Sequence, residues 1–388
     1  MLMFDPAVLQ MAKAYTPKPP PFPVKPPLKA ADFPHILVYG PPNTGKTSAA
    51  LSAFPDAAAF QMANSHLSAQ TRYGLVASGE TLGSPPIAVN DTQWATMDQG
   101  LKMPDGKFQR HPLLALSTVE RVLLPKLANR PVILDEWTNW EQINKKSYID
   151  GRFVTDKGAV DGGAEWLTNG TVQTKLVNRA SALKIPLIVL GHEVQAGTKT
   201  FMDKTTAFNE GVAASSQKQA EKFTSLFGLR VRTEKRLFAG TSRFVFAADP
   251  FKLRATQTDR LDIIRGVCPA NLRAVLWAAG FAPAWDHYRV AGDSTLRVEG
   301  ATIGALVLES IQEGIGILWG KTVFKTPEEL VAVFRALRVR FIGKLRELPV
   351  VKELGLDADP TLILWGWETI RDSIELVVGF YESEATSI

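Results

Sequence analysis

Cysteine is nearly absent: the 388 residues include one, Cys268. A lone cysteine excludes an intrachain disulfide, and five scattered histidines add no Cys/His zinc set. Cys268 therefore reads as a small, inert core residue. Long hydrophobic runs are missing too. No apolar stretch approaches the roughly 18 residues that a membrane-spanning helix requires, so no membrane contact is expected. The start, Met1-Leu2-Met3-Phe4-Asp5-Pro6, lacks a basic stretch followed by an apolar core. No signal peptide is expected, and the chain reads as cytoplasmic. With 45% hydrophobic and 21% charged residues, the composition is that of a globular protein able to bury a full core, and the length suits two domains.

The net charge is only +5, but it is concentrated. Residues 199–260 carry twelve Lys/Arg against six acids, which accounts for the whole excess. Such a local positive field suits a polyanionic partner.

Residues 1–33 pass from a short apolar stretch into a run of prolines (Pro17, Pro19, Pro20, Pro21, Pro23, Pro26, Pro27) interleaved with Lys18 and Lys25. This favours polyproline II and reads as an extended arm. From residue 34 the pattern becomes strand, glycine loop and helix: His35–Tyr39, then residues 40–47, then a helix to Phe54. A strand is expected at Ala57–Gln61 and a short helix near Trp94–Leu101. The helix expected at Leu113–Leu127 should kink or end at Pro125. Val132-Ile133-Leu134 reads as a buried strand ending in Asp135-Glu136. Ala164–Leu183 reads as helix, and Ile185–Leu190 as a strand ending in Gly191-His192-Glu193. Buried strands alternating with helices argue for an α/β fold with a mostly parallel sheet. The stretch 194–222 is polar with few large apolar residues and reads as a loop. Leu229–Arg236 and Arg243–Ala248 alternate around Ala239-Gly240 like an antiparallel hairpin. Residues 34–265 are assigned to one α/β domain, 266–294 to a linker helix region, and 295–388 to a smaller, mainly helical C-terminal domain. Its clearest helix starts at Thr326-Pro327-Glu328-Glu329, a cap with proline at N1 and glutamate at N3.

The chemistry concentrates at residues 40–48, Gly40-Pro41-Pro42-Asn43-Thr44-Gly45-Lys46-Thr47-Ser48, which satisfy the pattern G-x-x-x-x-G-K-[ST]. The glycines let the backbone curl its N–H groups around phosphates. Lys46 reaches the β/γ-phosphates, and the Thr47 hydroxyl ligates Mg²⁺. The following helix offers its positive end to the same anion. A carboxylate ending a neighbouring buried strand completes the Mg²⁺ site, and Asp135 fits that role. Glu136 is the candidate general base for an attacking water, or else a solvated strand end. His192 should lie on the γ-phosphate side, where it either senses hydrolysis or bonds a strand-end carbonyl. No Asn-Lys-x-Asp guanine-reading element is present, so the expected nucleotide is ATP.

This order of motifs resembles the phage RecA-like P-loop ATPases, the phage nucleotide-binding or single-strand-annealing group. The resemblance covers roughly residues 34–265. It implies a RecA-like P-loop NTPase core and a Mg²⁺-dependent ATPase acting on DNA, most simply single-stranded DNA bound through 194–260. It further implies a homo-oligomer, working in the host cytoplasm if phage-encoded. A DNA-binding loop would follow His192-Glu193, with Phe201, Phe208 and Phe223 available either to stack bases or to anchor the loop to the core, anchoring being preferred for Phe223 and Phe227. One of Arg230, Arg232, Arg236, Arg254 or Arg260 would reach a neighbouring subunit's γ-phosphate. Two departures stand out: the adjacent Asp135-Glu136 pair suits other P-loop branches, such as DNA-packaging or remodelling motors, and residues 295–388 have no counterpart. A phage structural or assembly protein that binds nucleotide without turnover is a third reading. The basic face of helix 327–348 (Arg335, Arg338, Arg340, Lys344, Arg346) reads as solvated, and Trp365 and Trp367 as core or subunit-contact residues.

Overall fold

The computed structural model describes residues 34–53, 58–61, 101–102, 108–109, 116–127, 131–135, 137–144, 158, 161–194, 197–201, 204–208, 211–212, 223–238, 241–247, 258–259, 264, 267–281, 289–290, 293–297, 300–319, 327–353, 355 and 360–378. The proline-rich arm at 1–33 and nearly all of the helix expected at Trp94–Leu101 lie outside the described residues. Leu101–Lys102 instead pairs with Phe108–Gln109 as a two-stranded ribbon.

Strand β1 (Ile36–Gly40) is fully buried along its length, as its unbroken apolar run requires of a strand covered on both faces. After it come α1 (Lys46–Ala53), β2 (Ala58–Gln61), β3 (Val132–Asp135), α2 (Trp137–Asn144), α3 (Gly162–Ala182) and β4 (Leu187–Val194). Strands β5 (Leu229–Phe238), β6 (Thr241–Ala247) and β7 (Val267–Pro269) follow, then the helices α4 (Leu272–Ala278), α5 (Gly300–Leu318), α6 (Pro327–Glu347) and α7 (Pro360–Val378). The sheet runs β7-β6-β5-β1-β4-β3-β2, and the short strands 211–212 and 258–259 join it at β4 and β5, making nine strands. The five from β2 to β5 are all parallel, while β6 and β7 are antiparallel additions. The chain leaves β1 for the far edge at β2, returns strand by strand to β4, and then crosses to β5 on β1's other side. β1 is therefore where the winding reverses, and in open α/β sheets ligands bind at the carboxyl ends of strands at such a reversal.

Successive residues of each strand feed opposite layers. Ile36, Val38, Ile188, Leu190 and Ile133 pack with α1 and with α4 to α7. Leu37, Tyr39, Val132, Leu134, Leu187 and Val189 pack with α2, α3 and the turns at 116–127. Those turns pass from Leu116–Thr118 through a π-helical Val119–Leu123 into a 3₁₀ segment, Leu124–Leu127. Pro125 explains the change: it has no N–H to give, and its ring displaces the carbonyl four residues back. Helix α3 starts at Asp161, whose carboxylate accepts from the Ala164 N–H at 3.0 Å.

Two stretches differ from expectation. Within 194–222, expected as a loop, Gly197–Phe201 pairs with Lys204–Phe208 as a hairpin. The threonines there (Thr198, Thr200, Thr205, Thr206) are β-branched and favour extended backbone. The stretch 266–294, read as a linker helix region, holds strand β7 as well as the helix α4. Helices α5 to α7 do form where a helical region was read, and their buried apolar residues (Ile311, Leu337, Ile374) belong to the same continuous core as strand β1. Cys268 is buried in that core, as expected.

Candidate nucleotide site

The loop between β1 and α1 is shaped by its own residues and by one hairpin beneath it. Gly40 and Gly45 have φ of 152° and 84°, and Asn43 takes the left-handed conformation at φ 58°. The glycines are also required for space. A Cβ on Gly40 would lie 2.5 Å from the Thr233 carbonyl oxygen, and one on Gly45 would lie 2.6 Å from the Phe244 ring. Pro41 and Pro42 have no N–H, so the amides available to an anion are those from Asn43 to Thr47. Pro42 and Asn43 are exposed at the crest, Thr44 and Lys46 are buried, and Thr47 and Ser48 are partly buried in the first turn of α1.

The Lys46 ammonium lies inside the loop, donating to the carbonyls of Gly40 at 3.2 Å and Pro41 at 2.8 Å. Both carbonyls are neutral acceptors, and bonds from a buried ammonium to phosphate oxygens would be charge-assisted and roughly twice as strong. Across the sheet end, the Thr47 hydroxyl donates to Asp135 Oδ2 at 2.8 Å. Asp135 closes β3 and is only 3% exposed. These two residues, 88 apart in sequence, place a hydroxyl and a carboxylate side by side, oxygen donors of the kind a hard cation takes together with waters and substrate phosphates. Among the described residues no group of three or more His, Cys, Asp or Glu side chains could hold a metal ion. The loop and this donor set fit Mg²⁺ with a nucleotide phosphate.

Glu136 lies outside the described residues. His192 is paired in register with Gly40, and its N–H donates to the Thr138 hydroxyl at 3.0 Å. Strand β4 runs on to Val194, so His192 stands within a strand beside the loop. By alternation it faces the same layer as Leu190 and α1. The next residue, Glu193, faces the other layer and pairs with Arg232 of β5 at 2.7 Å; Arg232 also pairs with Glu234. Of the arginines considered for a neighbouring subunit, Arg230 bonds Thr224 at 3.2 Å and Arg236 pairs with Glu234 at 2.9 Å, while Arg254 and Arg260 lie outside the described residues. Phe223 stacks on Trp137 at 4.7 Å and meets Phe227 edge-on at 5.1 Å, which makes both core anchors. Phe201 and Phe208 belong to the 197–208 hairpin.

Thr233 and Phe244 are site residues that the sequence reading overlooked. Thr233 is completely buried, and its hydroxyl lies 2.6 Å from the Thr44 hydroxyl and 3.3 Å from the Tyr39 carbonyl. Thr44 gives its proton to the Pro41 carbonyl at 2.7 Å, and the single proton of Thr233 is shared between the Tyr39 carbonyl and the Thr44 hydroxyl. The available signal was parity: Leu229, Val231 and Thr233 are uncharged, while Arg230, Arg232, Glu234 and Arg236 alternate with them. The chain matches no protein-family model and no curated protein sequence.

Proposed function

We propose that this protein is a P-loop ATPase of the RecA-like kind, with hydrolysis coupled to DNA. The observation that carries the reading is the Thr47–Asp135 pair at 2.8 Å, set beside a buried Lys46 at the reversal point of a parallel sheet. Lys46 and the amides of residues 43–47 would hold the phosphates, and Thr47 with Asp135 would hold Mg²⁺. Bound Mg-ATP supplies the phosphoryl group that passes to water. The residues of the chain orient it and stabilise charge, which is most of what phosphoryl transfer asks of a protein. Glu136, directly after Asp135, takes the proton of the attacking water. His192, opposite Gly40, reports the state of the site to the hairpin that β4 leads into. The basic segment 194–260 supplies salt-sensitive contacts to single-stranded DNA, in a homo-oligomer. A DNA-packaging or remodelling motor is the second reading, favoured by the adjacent Asp135-Glu136 pair.

The test is ATP hydrolysis by the full chain with and without single-stranded DNA, alongside Lys46→Ala. Low basal turnover, stimulation by DNA that fades with salt, and loss of activity in the variant are expected. Translocation along duplex DNA would favour the motor. Nucleotide binding without turnover, indifferent to DNA, would overturn both and leave a structural or assembly role.

A further inference from the structure

The phosphate loop leans on the β5–β6 hairpin, and the hairpin is tied to the last helix. Phe244 of β6 sits where a Cβ on Gly45 would be, so its ring forms the floor of the loop. The residue before it, Arg243, reaches α7. It donates to both oxygens of Glu375, at 3.1 Å each, and lies 3.4 Å from Asp372 Oδ1. Both carboxylates are almost fully buried. Asp372 also accepts from Asn271 at 2.9 Å and from Arg371 at 2.8 Å, while the Asn271 side-chain Oδ1 caps α4 by accepting from the Ala274 N–H at 3.1 Å. From α4, Arg273 donates to the Ser52 carbonyl at 2.7 Å, at the far end of the helix that begins with Lys46. One polar network therefore grips the loop's floor and the loop's helix from the C-terminal layer.

We propose that Arg243 is a positioning residue for the nucleotide loop, and that the Asp372–Glu375 pair of α7 sets the loop's shape through it. The bidentate fork fixes β6 along its length in a way a single charge would not. Fixing β6 fixes Phe244, and a loop whose glycine has no room against that ring must follow it. The C-terminal helices are then a tuning layer for nucleotide affinity, and whatever docks on α7 would be felt at Lys46. The effect on affinity rests on the nucleotide-site reading, whereas the mechanical link does not.

The two are separated by following amide hydrogen exchange of residues 43–47 in the nucleotide-free full chain, and by measuring Mg-ATP dissociation constants beside it. In Arg243→Ala, exchange in the loop should quicken roughly tenfold while β3 keeps its protection, because local opening precedes global unfolding. Arg243→Lys should recover part of this. Removing Arg243 leaves the buried Glu375 without its bidentate partner and costs stability, so Glu375→Gln, which keeps the volume and one acceptor, provides a second variant with roughly threefold faster exchange. In parallel, Mg-ATP affinity should weaken about five- to tenfold, with KM rising and kcat unchanged. Wild-type loop exchange in the folded variants, with only α7 loosened, would overturn the proposal. So would unchanged affinity in variants of a protein that binds ATP. Faster loop exchange in a protein that binds no ATP would uphold the link and refute the nucleotide reading.

Discussion

Gly45 shows how much of this site one residue can decide. Its φ of 84° is one that side chains rarely adopt, and the Phe244 ring occupies the space a methyl would need. Gly45→Ala should cost on the order of 1–3 kcal/mol, from backbone strain and overpacking together. Gly343→Ala is the control, because a Cβ there meets nothing within 4 Å on an exposed face of α6. It should instead stabilise by about 0.4–1 kcal/mol through helix propensity and a less disordered unfolded chain. Urea midpoints of the two variants check both signs. At the other end of β1, His35 Nδ1 accepts from the Leu187 N–H at 3.3 Å, so the ring is neutral, with its other nitrogen donating to Ser181 at 2.7 Å. Burial lowers its pKa below the ordinary 6.5. The folded state therefore binds this proton less readily than the unfolded chain. The stability it confers is complete above about pH 6.5 and is lost as pH falls from there through the depressed folded value. Urea midpoints of wild type and His35→Gln across that range should converge toward acid.

At the scale of elements, α2 is set in place by a buried polar network behind the site. Asn144 accepts from the Leu116 N–H at 3.0 Å and donates to Asn169 at 3.0 Å; Asn169 donates to Glu141 at 3.3 Å and Gln173 does so at 2.8 Å. Helix α2 carries Thr138, which receives the His192 N–H. Asn169→Ala should cost about 1–3 kcal/mol, because it removes a buried partner from both Asn144 and Glu141 of α2, and thermal unfolding measures it. This network was invisible in the sequence, since nothing local distinguishes Asn169 from a surface asparagine. The phosphate loop was legible because its geometry is written in consecutive residues, and β1, β3 and β4 were legible because continuous apolar runs of strand length have few alternatives. The 197–208 hairpin was misread as loop for want of large apolar residues, although its threonines carried the signal. Thr233, Phe244 and Arg243 escaped notice for a different reason: their roles come from tertiary contacts across 130 or more positions, as in the Arg243–Glu375 and Thr44–Thr233 pairs.

At the scale of the molecule, the sheet has one layer of helices contributed early in the chain and another contributed largely by its last hundred residues. The second layer covers α1 and the face of β1 that carries Ile36 and Val38. Its outer surface is charged as read: Arg335, Arg338 and Arg346 are exposed on α6, while Arg340 and Lys344 pair with Glu313 and Glu309 of α5. Because the layer completes the core, a chain ending at residue 294 should fail to give a cooperative unfolding transition. Losing the cover from residues such as Leu229 and Phe246 forfeits roughly 1.5–3 kcal/mol each, more than the marginal stability of a domain tolerates. Calorimetry of the truncated chain decides this.

Whether the loop at 40–48 and the Thr47–Asp135 pair together bind Mg-ATP is decided by equilibrium nucleotide binding. ATP titrated into the full chain with Mg²⁺, then with the metal chelated, should give binding that weakens on chelation. Asp135→Asn should bind about 10–100-fold more weakly in Mg²⁺, and Lys46→Ala should bind weakly or not at all. Equal affinity with and without Mg²⁺, or a Lys46→Ala protein that binds ATP as well as the wild type, would contradict the account.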